Sequence, residues 1–498
     1  MRDWRVLPGL FLLLILFASG PLRAADLFGL GSRNAALAGA VTPICDDGHA
    51  SWYNPAALGA LSEGSFSVWY ATMLPSIQAD VTNFGSLGQV GVYEQVDVHG
   101  RLDGPATRAH LEGLFDRAAE LERFSGVGIS FAIPLHKLIS SLPFALVVGG
   151  STMVPNEGRS LASFTAQTID QPFFPSWNTP FNQLRFNLGL GAEIWPGIVW
   201  LGAGVSVHSR VEGMVVTLNP VASYDPEHPE TNPPAASSAS TEQSLGLYAA
   251  PTVGLLVQPV SWGRLSVVYH GEEKTTISLG ATATMELDLG EPLRMEVPYV
   301  MSGTFAYRPH RIIGGLAWLL KDRLTVSAEV EFGLWQEFGS NLQILTMAVS
   351  EEALGGDDTI TLDDLGGDFR VAAEGSPPVR LRNTWQPRIG VEYSFSFGLD
   401  ARFGYGYRTS PLKGDQRHLN VLMDNDWHTV AAGLGYRLWK ASEGPGEVTL
   451  NAHFQGLFLV PRYQAIGRVG ASGESIAGGY VHTEGFIAGG GLELVSSF

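Results

Sequence analysis

Apolar and polar residues alternate one by one along much of this chain, the period of a half-buried β-strand. Phe486, Ala488, Gly490, Leu492, Leu494 and Phe498 share one face of the last segment, and Glu493 and Ser497 lie on the other. Leu399, Ala401, Phe403, Tyr405 and Tyr407 alternate with Asp400, Arg402, Gly404, Gly406 and Arg408. Val326, Ala328, Val330 and Phe332 alternate with Thr325, Ser327, Glu329 and Glu331. About fourteen such segments are predicted, each about ten residues long, the length at which a tilted strand crosses a bilayer. The first nine are Gly64–Met73, Phe124–Leu135, Pro143–Met153, Leu184–Ile194, Ile198–Arg210, Ser244–Val257, Arg264–Gly271, Tyr299–Arg308 and Leu324–Trp335. The last five are Trp385–Phe395, Gly398–Arg408, Trp427–Leu438, Glu447–Leu459 and Gly485–Phe498.

The gaps between these segments alternate between long and short. Leu74–Arg123, Val154–Gln183, Val211–Gln243 and Val460–Glu484 are long; Trp195–Gly197, Pro309–Arg323 and Ser396–Phe397 are short. Short turns at one end and long loops at the other are the habit of bacterial membrane barrels, and a sandwich in water has no reason to share it. Periodicity alone does not separate the two, because both bury one face of each strand. The polar faces, rich in Gly, Ser and charged residues, suit a hydrated or plugged lumen. Trp195, Trp262, Trp385, Trp427 and Trp439 lie near strand ends, where interfacial aromatics belong.

The N-terminus differs from the rest. Arg2 and Arg5 precede an apolar run, Leu10–Phe17, and small residues end at Ala24 and Ala25. This is the layout of a secretory signal peptide over residues 1–24. No later apolar run reaches the ~20 residues of a membrane helix; Ile312–Leu320 comes nearest and contains two glycines. With Cys45 the only cysteine, an internal disulfide is impossible. Charged residues make up only 16% of the chain, and the net charge of -18 excludes nucleic acid as a main partner.

Inside the long gaps, Thr107–Arg123 reads as an amphipathic helix and Pro220–Ser240 as a Pro/Ser/Ala-rich loop. Asp357, Asp358, Asp363, Asp364 and Asp368 form an acidic loop without the Gly and Glu spacing of a calcium site. The twelve histidines show no metal or triad spacing, and no nucleophile motif accompanies them. No cofactor is expected, and the chain does not read as an enzyme.

The stretch Ala25–Ser62 carries Gly29, Gly31 and Arg33, then Ala38-Gly39-Ala40, Asp46-Asp47 and Tyr53-Asn54-Pro55-Ala56. In order and spacing it resembles the N-terminal hatch of the long-chain fatty-acid transporter and toluene-channel family of outer-membrane proteins. Pro298–Arg308 with Leu324–Trp335, Phe403–Leu412 with Asp424–His428, and the terminal Phe498 are similar to the family as well. The resemblance implies an all-β, fourteen-stranded antiparallel transmembrane barrel over 63–498, with residues 25–62 as a hatch plugging the lumen. It implies the outer membrane of a Gram-negative bacterium, with its lipid and lipopolysaccharide as surroundings. It also implies passive uptake of a hydrophobic ligand, a long-chain fatty acid before an aromatic hydrocarbon, by outer-loop capture, lumenal binding and lateral release. An assembly or cargo-carrier barrel of a secretion system is the alternative.

Gating roles then fall to Arg33, Asp46, Asp47, Asn54, Pro55 and Ala56, although Asn-Pro alone also makes a simple turn. Gly149 and Gly150 sit where the family kinks its third strand, and crowding against the hatch would equally call for glycine. Arg185, Arg388 and Arg402 face inward with Glu193, Glu329, Glu331, Glu392 and Asp400, and are the candidates to hold a ligand carboxylate. Their rival role is pairing with those carboxylates or with the hatch.

Overall fold

The computed structural model describes residues 29–81, 124–139, 141–155, 185–212, 244–288, 292–320, 323–337, 381–414, 424–441, 446–469 and 475–498. The expected signal peptide, the amphipathic helix expected over Thr107–Arg123, the loop expected at Pro220–Ser240 and the acidic loop expected at 357–368 lie outside these residues.

Among the described residues sixteen strands form, numbered in chain order, and fourteen of them close into one antiparallel ring. The ring runs β1 (Ser65–Val81), β2 (Phe124–Pro134), β3 (Leu146–Pro155), β4 (Arg185–Trp195), β5 (Val199–Glu212), β6 (Ser244–Val260) and β7 (Gly263–His270). It continues through β10 (Arg311–Leu320), β11 (Leu324–Gly333), β12 (Thr384–Ser394), β13 (Leu399–Arg408), β14 (Trp427–Lys440), β15 (Glu447–Val469) and β16 (Ser475–Ser497). β16 pairs with β1 from Ser65↔Ser497 onward, so the ring has no free edge. The N–H and C=O of Gly64 and Phe498 pair reciprocally at 2.9 Å beyond the last rung. Both ends of the barrel chain therefore lie at one rim, with the short turns. The long connections, including the one between Glu212 and Ser244 that holds Pro220–Ser240, leave from the far rim.

The two-residue period is visible in the burial of each wall strand. On β4, Phe186, Leu188 and Leu190 point outward and are exposed, while Arg185 and Asn187 point inward and are buried. β7 does the same with Leu265, Val267 and Tyr269 outside, and β10 with Ile312, Leu316, Trp318 and Leu320. The result is an apolar belt around a closed ring, far larger than a soluble monomer exposes, and lipid chains are the surroundings that fit it. Trp195, Trp262, Trp385 and Trp439 are exposed at strand ends, as expected.

Three sequence expectations change. Tyr299–Arg308 is not a wall strand. It belongs to β9 (Pro292–Arg308), which pairs with β8 (Glu273–Asp288) in a separate two-stranded sheet, and β10 takes its place in the wall. The alternation of β10 is hidden because its inward residues, Ile313, Gly315 and Ala317, are apolar or small rather than polar. They pack against the N-terminal segment: a Cβ on Gly315 would lie 2.6 Å from Thr42 Oγ1 and 3.1 Å from Pro43 Cδ. Second, much of the expected loop Val460–Glu484 is strand, since β15 and β16 continue past the wall as a long hairpin. Third, Trp427 is not an interfacial aromatic. It shares the inward parity of Thr429 and Ala431, is only 1% exposed, and has the Arg408 guanidinium 4.2 Å from its ring centroid.

Residues 29–62 fold into three short helices, Ser32–Ala36, Ala50–Tyr53 and Pro55–Leu58, joined by turns. Gly29 and Gly31 have φ near +80°, a conformation glycine adopts without strain. Asn54 caps the third helix: its side chain accepts from Ala56 N–H at 3.1 Å and donates to Thr42 C=O at 2.9 Å, with Pro55 at the first helical position. The segment touches strands on all sides of the ring. Ser51 Oγ is 3.0 Å from Ser151 Oγ on β3, and Thr42 Oγ1 is 2.8 Å from Ser266 Oγ on β7. Thr42 N–H donates to Glu329 on β11, and Ser32 N–H donates to Glu493 on β16 at 2.9 Å. Contacts from opposite walls place it within the lumen.

Glycine makes the fit possible. A Cβ on Gly202 of β5 would overlap main-chain atoms of Pro55 and Ala56, whereas one on Gly314, which faces outward, meets nothing within 4 Å. Gly202→Val is expected to lower the unfolding free energy by about 1–3 kcal/mol, the usual penalty for overpacking. Gly314→Val should leave it nearly unchanged. Denaturant unfolding of the barrel in lipid vesicles, followed by tryptophan fluorescence, checks both.

Candidate lumenal site

Three groups of charged residues lie where the N-terminal segment meets the wall. The first centres on Arg33. Its guanidinium grips Glu392 of β12 with two bonds of 2.9 Å and meets Asp46 at 2.6 Å. Arg402 of β13 shares Glu392 and also holds Asn451 at 2.8 Å and Asp400 at 3.2 Å. Arg402 is thus consumed by pairing.

The second group joins Asp47, His49 and Glu493. Asp47 turns to His49, with both carboxylate oxygens 3.1 Å from Nδ1, rather than to Arg33. Burial alone would raise the Asp47 carboxyl, but the adjacent imidazole and its hydrogen bonds hold it down at about 2. Burial likewise opposes the charged form of His49, yet Asp47 first and Glu493 second raise it. Nearby, burial pushes the Cys45 thiol and the Tyr53 phenol up, so both stay neutral.

The third group surrounds a cavity of about 120 Å³ at the far-rim side of the segment. Trp52, Tyr53 and Gly39 of the segment border it, with Ile313 and Trp335 from the wall. Arg308, Arg311, Arg388 and Arg408 also line it, against a single carboxylate, Glu331. Arg388 bonds Glu329 and Glu331 at 3.2 Å each, and Arg311 reaches Glu331 at 3.5 Å. The Nε of Arg388 and the Nε and Nη2 of Arg311 are buried without a hydrogen-bond acceptor. Trp52 lies under three cations, with Arg185, Arg311 and Arg308 centred 5.0, 5.3 and 5.5 Å from its ring. Arg185 itself pairs with Glu273 at 2.6 Å, outside the cavity lining.

Of the three arginines singled out by parity, only Arg388 borders the cavity. Arg311 escaped notice because 309–323 reads as a turn once β9 is taken for a wall strand, and Arg308 because it only ends that supposed strand. The basic run Arg308-Pro309-His310-Arg311 was the available signal. Glu193 faces a turn rather than a ligand, accepting from Gly197 N–H at 2.7 Å. Gly149 lies against Leu58 of the segment, where a Cβ would sit 2.5 Å from Cδ2, and β3 pairs with β2 and β4 across Gly149–Gly150 without a register shift.

The architecture is thus a closed fourteen-stranded antiparallel barrel with a folded segment and a cation-lined cavity inside it. A solved structure of a FadL homologue from Pseudomonas aeruginosa has the same fold, with a TM-score of 0.53 and 16% identity over 96% of this chain and 99% of that one. The P. putida toluene transporter TodX aligns with a TM-score of 0.47 and 13% identity over 95% and 99%. No protein-family model and no curated protein sequence matches the chain.

Glu392 is the shared anion of the first group. Glu392→Ala leaves two buried guanidinium groups short of it, and loss of one partner of a buried pair costs about 3–5 kcal/mol. The N-terminal segment should then be cut faster by protease, and ion conductance in planar bilayers should rise above that of the wild type.

Proposed function

We propose that this chain is a passive channel of the outer membrane of a Gram-negative bacterium, taking up hydrophobic small molecules, long-chain fatty acids foremost. The observation that carries this reading is the cavity beside Trp52, where guanidinium N–H groups of Arg311 and Arg388 are buried with no acceptor. A buried unpaired donor is costly, and a carboxylate that reaches it forms a charge-assisted bond. An aromatic hydrocarbon would leave those donors unfilled. The cavity is smaller than the about 300–1,000 Å³ of a site enclosing a whole ligand, so it takes a head group while the chain extends elsewhere.

In this reading residues 29–62 are a hatch. Ligand arriving from the far-rim loops brings its carboxylate to the arginines above Trp52, and a shift of the segment opens the lumen below. Arg33, Asp46 and Asp47 hold the hatch through their ion pairs, and Asn54, Pro55 and Ala56 fix its shape. Gly149 and Gly150 mark the wall exit: withdrawal of Leu58 would leave β3 with no side chain to fill the gap. The apolar belt then receives the ligand directly into lipid. No energy source is required while metabolism inside the cell removes the product.

Labelled oleate and toluene uptake, in cells lacking their own transporter and expressing this chain, tests the proposal. Arg311→Met removes the least committed cation. A charge-assisted hydrogen bond contributes about 1.5–3 kcal/mol, so oleate uptake at low concentration should fall about tenfold or more. Toluene uptake should stay the same. Preference for toluene with the variant unaffected would reassign the substrate to aromatic hydrocarbons. Uptake of neither would favour the assembly or cargo-carrier role.

A further inference from the structure

Asp47, His49 and Glu493 form a buried group that the uptake reading does not use. Two carboxylates and one imidazole converge between the N-terminal segment and the final strand. Their free donor atoms all lie within 4.8 Å of one another. Each carboxylate has one oxygen committed and one available. Asp47 Oδ1 accepts from His49 N–H at 2.9 Å, leaving Oδ2 facing Nδ1 at 3.1 Å. Glu493 Oε2 accepts from Ser32 N–H at 2.9 Å and Arg33 N–H at 3.4 Å. Its Oε1 is buried, has no hydrogen-bond partner, and faces His49 Nδ1 at 3.7 Å.

Main-chain N–H groups that fix one oxygen of a carboxylate and aim the other are the usual outer shell of a metal ligand. With bonds of about 2.1 Å to nitrogen and oxygen, the edge of a tetrahedron is about 3.4 Å. The separations of 3.1 and 3.7 Å bracket that edge. Gly31 closes the site from one side: a Cβ there would lie 2.7 Å from His49 Cε1 and 3.0 Å from Glu493 Oε1. The space is therefore kept by the absence of a side chain. The nearest cation of the segment, Arg33, is turned away to Glu392 and Asp46. Two carboxylates thus face one imidazole, a donor set that a dication would hold together.

We propose that Asp47, His49 and Glu493 bind a divalent cation of the Zn²⁺ type and that this ion fastens the N-terminal segment to the last strand. Mixed imidazole and carboxylate donors suit Zn²⁺ better than Ca²⁺ or Mg²⁺, which take oxygen alone. The ion would join the N-terminal segment to β16, one of the two strands of the closing seam.

The full barrel, folded in detergent and stripped with chelator, is dialysed against Zn²⁺ and its metal content measured, alongside Glu493→Gln and His49→Gln. Folding of each is checked by its heat-dependent migration on gels. The wild type should retain about one Zn²⁺ per chain more than either variant, and Co²⁺ in its place should give a visible absorption band that both variants lose. Equal Zn²⁺ content in wild type and folded variants would overturn the proposal and leave a proton shared by the three groups as the reading. Should the variants fail to fold, X-ray absorption of the Zn²⁺-loaded wild type decides. One imidazole nitrogen with carboxylate oxygens supports the site, and a shell without imidazole overturns it.

Discussion

Closure of the ring is the constraint on which everything else depends. A bilayer interior offers no water to unpaired peptide groups, so each wall strand must find a partner on both sides. β1 meets that demand by pairing with β2 on one edge and β16 on the other. Once the ring is closed, each residue of the wall faces either lipid or lumen, and the choice is set by parity alone. Leu190 and Arg185 on one strand, five residues apart, thus occupy opposite chemical worlds.

The lumen is filled by a segment whose backbone presses against bare glycine on the wall, and it is stitched by charges that answer one another. Arg33, Glu392 and Arg402 form one such chain, and Arg388, Glu329 and Glu331 another. In low dielectric these groups are held firmly while balanced and are costly when one is removed. The Nε of Arg388 and the Nε and Nη2 of Arg311 are buried at the cavity without an acceptor, which is why they attract a functional reading.

The wall was largely legible in the sequence because a strand between two different solvents must alternate. β4, β11, β13 and the wall part of β16 stand close to where alternation put them. β10 was missed because its lumenal side meets protein rather than water, and the polar half of the pattern disappears there. Trp427 was misread because proximity to a strand end says nothing of parity. The ion pairs were legible only as an inventory: parity placed Arg388 and Arg402 inside, but not which would be consumed. The meeting of His49 with Glu493 was beyond sequence reading, since 444 residues separate them and neither has a local motif. Arg311 sat behind the same error that hid β10.

The bond from Ser32 N–H to Glu493 spans 461 residues. Its acceptor lies five residues from the end of the chain, on a strand that is itself half of the closing seam. Residues of the N-terminal segment therefore have no complete binding surface until the last strand has been delivered and paired. Native contacts this distant in sequence are slow to form. The interior of this barrel is consequently furnished after its walls are raised, and residues 29–62 are the last part to find their place.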